Sequence, residues 1–382
     1  PEVAPDADPT FSKVVEAHFA DWDLNGDGRL ESSEIDRLMN RTEIQGEEAA
    51  AIATIKRRER ATLNLERYRY AASREQLVKG VGTPEPIAPV EPSLGLRIIP
   101  DEAVFRHHLR ALGTLNRNLY AGDGPNFRAM RQGPIGDCYF FSMTGYLAAR
   151  EPKRIKQMIS PEPDGSYLVR FFDGERVRVP TPTDAEILLN NSSSSLADRI
   201  WLPVLEKALG EKMRRRIPAS VSRRSDEATD AMAAGGTTGL IIQLYSGHRD
   251  TEIRLRESRY RRARLDLLRR VLPQILARGM LAGAEMGASP PEGWPKVPDL
   301  GYRHAYAILG FDPAGDRIML WNPWGQNFTP NGPDGPERGY ATDHGIFQMP
   351  LPAFFALFSS VHLETFSRAI VDDGPIHGVF PP

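Results

Sequence analysis

Gln132-Gly133-Pro134-Ile135-Gly136-Asp137-Cys138-Tyr139-Phe140-Phe141 holds the only cysteine of the chain, and the rest of the sequence is read from it. Glycine and proline crowd the residues before the thiol. An apolar run follows it: Tyr139, Phe140, Phe141, Met143, Tyr146 and Leu147. The pattern predicts a tight loop that ends where a helix begins. A thiol in the first turn of a helix faces unpaired N–H groups and the positive end of the macrodipole, and both favour thiolate. Asp137 is placed to cap that helix. Its charge opposes a thiolate, so activation needs a further partner. Gln132 offers an uncharged N–H donor, suited to stabilising an oxyanion beside a backbone N–H. By itself a lone cysteine is more often a small buried hydrophobe.

The partner is found downstream. Gly301-Tyr302-Arg303-His304-Ala305-Tyr306-Ala307-Ile308-Leu309-Gly310-Phe311 reads as a strand, Asp312 to Asp316 as a turn, and Arg317 to Gly325 as a second strand. Pairing Phe311 with Arg317 sets His304 opposite Trp324 and Asn322 opposite Tyr306. Side chains alternate along a strand, so His304, Asn322 and Trp324 share one face. His304 and Asn322 become diagonal neighbours at about 7–8 Å between backbones. An amide oxygen beside an imidazole N–H fixes the tautomer and the orientation of the ring. The chain has 8 histidines, so one alone carries little. A primed thiol together with an amide-oriented histidine points to a Cys-His-Asn hydrolytic triad.

Bulk properties exclude some classes. At 382 residues there is room for two or three domains. Apolar content of 41% and charged content of 26% are those of an ordinary globular protein. A net charge of −2 gives no bulk electrostatic case for nucleic acid or a membrane surface. No apolar run approaches the roughly 20 residues of a membrane span. One cysteine excludes an internal disulfide framework. The sequence begins at Pro1 without an initiating Met. A secreted or cell-envelope setting with a removed leader is one expectation, and a cytoplasmic one also stands.

The amino-terminal part carries a second motif. Phe11, Val14, Val15, Phe19 and Trp22 recur at helical spacing. Asp23-Leu24-Asn25-Gly26-Asp27-Gly28-Arg29-Leu30-Glu31-Ser32-Ser33-Glu34 follows and matches the calcium loop of an EF-hand. Asp23, Asn25 and Asp27 offer oxygens at alternate positions, Arg29 its backbone carbonyl, and Glu34 both carboxylate oxygens. Gly28 permits the sharp bend. Ca2+ is the cofactor implied. No second such loop is present, so the helix from about Glu47 to Leu63 is the expected metal-free partner. Its basic end, Lys56 to Arg60, reads as a solvated face. The prolines between Gly80 and Gly95 read as a linker, and Pro1 to Pro9 as disordered.

Other segments read as follows. Gly145 to Ile159 continues the thiol helix. Tyr167–Phe172 and Arg176–Val179 form a hairpin. Asn190–Ser195 is a polar loop. Ile200–Leu209 is a core helix with an exposed charged edge. Gly235–Gly239 opens a short helix. Arg254–Arg270 is an arginine-rich helix with Leu255, Leu265 and Leu268 inward.

Taken together, the motifs resemble those of the calpain cysteine proteases. Gln132-Gly133-x-x-Gly136-Asp137-Cys138 with its following aromatic resembles the family's nucleophile motif. Leu205-Glu206-Lys207-Ala208 resembles a helix motif of the same core. His304-Ala305-Tyr306 and Asn322-Pro323-Trp324-Gly325 resemble its histidine and asparagine motifs. Gly345 to Phe358 with Leu363-Glu364 resembles the closing strand and helix. The resemblance runs over roughly Leu96 to Thr365 in the family's order. It implies an α+β, two-lobed papain-like core preceded by a small all-α EF-hand module. Residues 1–80 would form that module and 81–96 the linker. One core lobe, 97–248, would carry the cysteine and the oxyanion glutamine, and another, 249–382, the histidine and asparagine. Position by position it implies Cys138 as nucleophile, His304 as base, Asn322 as its orienter, and Gln132 with the Cys138 N–H as oxyanion hole. Trp324 matches the family's gating wedge. Tyr139 stands where tryptophan is usual. The family's core calcium acids have only a partial counterpart in Asp334, Glu337 and Asp343.

The function expected is a calcium-responsive cysteine endopeptidase acting on protein substrates. A catalytically silent, calcium-dependent binding module on the same scaffold is the alternative from a different class. Transamidation by the same triad is a third.

Overall fold

The periodicity of Phe11–Trp22 produces a helix in the computed structural model, with Phe11, Val14, Val15, Phe19 and Trp22 buried and the Thr10 side chain accepting the Lys13 N–H as a cap. The structure describes residues 9–63, 70–79, 100–122, 124–133, 135–189, 199–216, 228–233, 236–256 and 260–365. The expected 81–96 linker, the Asn190–Ser195 loop, all of the Pro1–Pro9 segment but Pro9, and the segment after Thr365 lie outside the described residues. Among the described residues, no helix is long and apolar enough to cross a membrane.

Contacts divide the chain into two compact units. One comprises 1–119, 180–191 and 195–231; the other comprises 120–179, 192–194 and 232–382. The 97–248 segment is thus shared between them, with the helix Asp101–Leu112 and residues 195–231 grouped with the amino-terminal module.

In the first unit the Asp23–Glu34 loop joins the helices Phe11–Trp22 and Ser32–Met39. Within the loop Arg29–Glu31 forms a short strand, and Leu30 is fully buried. It pairs antiparallel with Ala71–Ser73, with Leu30 opposite Ala72. The helix Gly46–Leu63 and the short helix Arg74–Val78 flank that second strand. Among the described residues the strand partner of the loop comes with Ala71–Ser73 and Arg74–Val78, more than the one helix the sequence suggested. Residues of Asp101–Leu112 and Asp184–Leu189 share the same core.

The expected solvated face at Lys56–Arg60 is not what forms. Lys56 and Glu59 are both fully buried. Lys56 Nζ meets Asp36, Glu59 Oε2 at 2.9 Å and Asp230 Oδ2 at 2.7 Å, and Arg60 also pairs with Asp230. Burial disfavours the Lys56 ammonium, but Asp230, Glu59 and Asp36 outweigh it and hold its pKa above the ordinary value. The carboxylates come from segments far apart in sequence, which no local charge pattern discloses. The helix Trp201–Arg216 departs in the same way. Glu206 and Lys207 are buried rather than at an exposed edge, and Lys207 Nζ pairs with Glu186.

The second unit is organised on a seven-stranded sheet. Its order is Thr342–Asp343, Ile346–Pro350, Arg317–Trp321, His304–Asp312, Ala282–Met286, Ser360–Thr365 and Arg249–Arg254, antiparallel throughout. A separate three-stranded sheet contains the expected hairpin, with Tyr167 opposite Val179. The helix Cys138–Arg150 packs on the His304–Asp312 strand. Close approach is possible because Gly145 has no side chain: a Cβ there would lie 2.0 Å from the Trp321 ring. That helix does not run on to Ile159. It ends at Arg150, and Pro152 opens a second helix, Pro152–Met158.

Two further segments differ from expectation. Arg249–Arg254 is an edge strand and the arginine-rich helix spans Arg261–Ala277. Leu265 is half-buried, whereas Arg264 is buried, its guanidinium donating to the Arg254 carbonyl and lying over the Tyr260 ring.

Candidate active site

Cys138 is the first residue of its helix, as the loop-to-helix reading required. Asp137 occupies the cap position, but its side chain does not cap. Its carbonyl receives the Phe140 and Phe141 N–H groups, and its carboxylate Oδ1 accepts the Gln132 amide at 3.1 Å. The expected cap is therefore a backbone one. The other Gln132 N–H donates to the Ile135 carbonyl at 2.7 Å, so the amide braces its own loop. The Gln132 backbone N–H donates to Pro323 O at 2.7 Å, which ties the thiol loop to the Asn322-Pro323-Trp324 segment.

The histidine hairpin reaches its geometry by a route the sequence did not disclose. Arg317 pairs with Asp312, not Phe311, and Met319 with Gly310. A bulge at Leu309 then shifts the register, so that Leu320 pairs with Ile308 and Trp321 with Ala307. Beyond the bulge the alignment is the expected one, which carries Asn322 alongside Tyr306. His304 Nε2 and Asn322 Oδ1 are 2.8 Å apart, and both residues are buried. Asn322 Oδ1 also accepts the Trp324 N–H at 3.1 Å, which identifies this atom as the oxygen. An amide oxygen only accepts, so Nε2 of His304 carries the proton. Nδ1 is left as the basic nitrogen.

Ala305, the chain neighbour of His304, brings the thiol to the same place. Burial pushes the Cys138 thiol up to about 11, while the Ala305 and Tyr139 N–H groups pull the other way and the Asp137 charge adds to the rise. Burial pushes His304 down to about 4 against the opposing Asn322 bond. Both shifts favour an uncharged thiol beside an uncharged imidazole. Among the described residues no hydrogen bond joins the two side chains.

Trp324 lies over His304, with ring centroids 4.5 Å apart and planes at 32°, and is 43% exposed. It shields the His304–Asn322 bond and rests on Gly301, where a Cβ would be 2.5 Å from the indole. Tyr139 is buried and donates to the Met232 carbonyl at 3.2 Å, a bond that tryptophan at this position would not make in the same way.

The Asp23–Glu34 loop has oxygen donors of the type a hard cation takes, arranged around Gly26 and Gly28, which adopt φ of +73° and +81°. The carboxylates are turned onto backbone N–H groups. Asp23 accepts from Gly26, Asp27 and Gly28, and Glu34 from Leu24, Asn25 and Glu31. The Arg29 side chain donates to the Ala71 carbonyl, leaving only its own backbone carbonyl as a ligand. Among the described residues no three His, Cys, Asp or Glu side chains are drawn together at metal-ligand spacing. Ligation by Glu34 would require it to release its N–H partners. At the expected core calcium acids, Asp334 accepts the Ala341 N–H and Asp343 pairs with His344 at 2.8 Å.

Comparison with known proteins gives a cysteine protease family. A family model described as calpain family cysteine protease matches residues 105–334, more than half of the chain. The calpain-type cysteine protease ADL1 of Oryza sativa subsp. japonica is 25% identical over 260 residues, which are 65% of this chain and 11% of the rice protein. The chain thus spans a small part of that relative's length.

Proposed function

This chain belongs to the calpain family of cysteine proteases, and from that premise we propose a calcium-responsive endopeptidase that hydrolyses peptide bonds of proteins through an acyl-enzyme on Cys138. The observation that carries the reading is the His304 Nε2–Asn322 Oδ1 bond at 2.8 Å, which directs the basic Nδ1 away from Asn322. Cys138 Sγ attacks the carbonyl carbon as His304 Nδ1 takes the thiol proton. The imidazolium then protonates the departing amine, and water, deprotonated by the same nitrogen, releases the acid. The Cys138 N–H and the Gln132 amide serve the oxyanion once Gln132 gives up one of its loop bonds. Trp324 gates the site by its position over His304.

Calcium would be held by Asp23, Asn25, Asp27, the Arg29 carbonyl and Glu34, where it would supply the positive charge that those oxygens lack. A response at Cys138 requires that the loop's two states differ in what they contact.

One observation favours the silent-module reading. Both Gln132 amide protons are committed within the loop, and burial disfavours the thiolate. The test is cleavage of an unfolded protein with calcium or chelator, beside Cys138→Ala. Calcium-dependent cleavage lost in the variant supports the endopeptidase. Calcium binding without cleavage at any calcium level would favour the silent module. Equal cleavage with chelator would remove the calcium response alone.

A further inference from the structure

Three side chains on adjacent strands of the catalytic sheet form a polar row that ends beside the nucleophile. His362 Nδ1 meets Asp250 Oδ2 at 3.1 Å, and His362 Nε2 meets Glu285 Oε1 at 3.5 Å. The pairing of the strands puts the row on one face: Asp250 lies opposite Glu364, Glu285 opposite Ser360, and Ser360, His362 and Glu364 share a side. The same register continues to the active site. Glu285 lies opposite Ala305, whose N–H faces the Cys138 sulfur, and the Glu285 charge is close enough to bear on that thiol. The row is built in rather than incidental. Gly239 has no room for a Cβ, which would sit 2.0 Å from Asp250 Oδ2 and 3.1 Å from His362 Nδ1. The Thr238 N–H, at the start of the helix Thr238–Ser246, donates to Glu285 Oε1 at 2.9 Å.

The Thr238 N–H and His362 both meet Glu285 at Oε1, and the side chain is 28% exposed while His362 is 6% exposed. With two carboxylates and one imidazole the trio is net negative whichever protonation state His362 holds. Resting on the endopeptidase reading, we propose that Glu285 is a specificity-determining residue that binds a cationic side chain, arginine or lysine, of the protein substrate beside the scissile bond. His362 and Asp250 are positioning residues that fix its carboxylate. A partly desolvated carboxylate facing a guanidinium or an ammonium gives a charge-assisted contact that a neutral isostere cannot form.

The test uses peptide pairs identical except for arginine against citrulline, placed in turn at each position flanking the cleaved bond. The full chain should show kcat/KM about tenfold higher for arginine at one position. The preference should weaken at high salt and collapse toward unity in Glu285→Gln, which retains an oxygen for the Thr238 N–H. It should fall in His362→Gln, which releases the Glu285 carboxylate from its position, while kcat/KM for the citrulline peptides stays unchanged. A ratio near unity at every position in the wild type, or a ratio kept in Glu285→Gln, would overturn the proposal. Absence of cleavage of every peptide and of an unfolded protein would instead overturn the peptidase reading beneath it.

Discussion

The neutral state of the resting thiol can be tested by alkylation. Cys138 is the only cysteine of the chain, so iodoacetamide labels one site and intact mass reads it without ambiguity. Burial raises the thiol from the ordinary 9.0 to about 11, overcoming the Ala305 and Tyr139 N–H groups. At pH 7 the thiolate fraction is then on the order of one in 10⁴, about a hundredfold below that of an unperturbed cysteine. Alkylation of the calcium-free protein should therefore run about a hundredfold slower than that of a free thiol, with a rate that climbs continuously from pH 7 to pH 10. If calcium assembles the ion pair, the rate at pH 7 should rise and become nearly independent of pH. Fast, flat alkylation between pH 5 and 8 in chelator would refute the neutral-pair account. It would mean that Cys138 and His304 are already paired as ions without calcium.

Five further outcomes follow from the packing. Asn322→Ala strands the buried His304 N–H, which costs about 1–3 kcal/mol; kcat should fall on the order of 100-fold as the ring loses its orientation, measured by steady-state hydrolysis and thermal unfolding. Lys56→Met leaves Asp36, Glu59 and Asp230 without their shared cation and should destabilise by about 3–5 kcal/mol in urea unfolding, far more than a surface lysine would. Gly145→Ala drives a methyl into the Trp321 ring and should cost about 1–3 kcal/mol or more in the same assay. His304 and His108 are both held near 4 by burial, so the unfolded chain binds more protons between pH 6.5 and 4 and stability should fall as pH drops through that window. His362 has the opposite sign: burial opposes its imidazolium, but Asp250 and Glu285 hold it up to about 10, so its contribution is complete below pH 6.5 and lost as pH rises. His362→Gln should flatten the loss between pH 6.5 and 9.

What the sequence made legible was the chemistry carried by local order. Cys138 opens a helix because glycine and proline stop regular structure before it and apolar residues resume after it. His304 and Asn322 meet because strand periodicity and a short turn leave few alternatives. The bulge at Leu309 was not legible. It shifts the register at the turn end of the hairpin and leaves the catalytic end as alternation predicts, so the correct pairing was reached from an incorrect starting pair. Buried charges were misread for a common reason. Lys56, Lys207 and Arg264 look solvated in one dimension, because their partners Asp230, Glu186 and the Arg254 carbonyl come from other segments. Gln132 and Asp137 were assigned separate tasks from their positions, yet they bond to each other, which only coordinates disclose. The Asp250–His362–Glu285 row was missed because its members are spread over more than a hundred residues and carry no motif.

The central claim is that Cys138 forms a covalent acyl intermediate driven by His304. The most direct measurement is intact mass of the protein quenched in acid during turnover of a peptide thioester in calcium, followed by mapping of the adduct. The account predicts an acyl mass on Cys138 that disappears as substrate is exhausted and does not accumulate in His304→Ala. An unmodified protein that still cleaves peptides, or an adduct on any other residue, would contradict it.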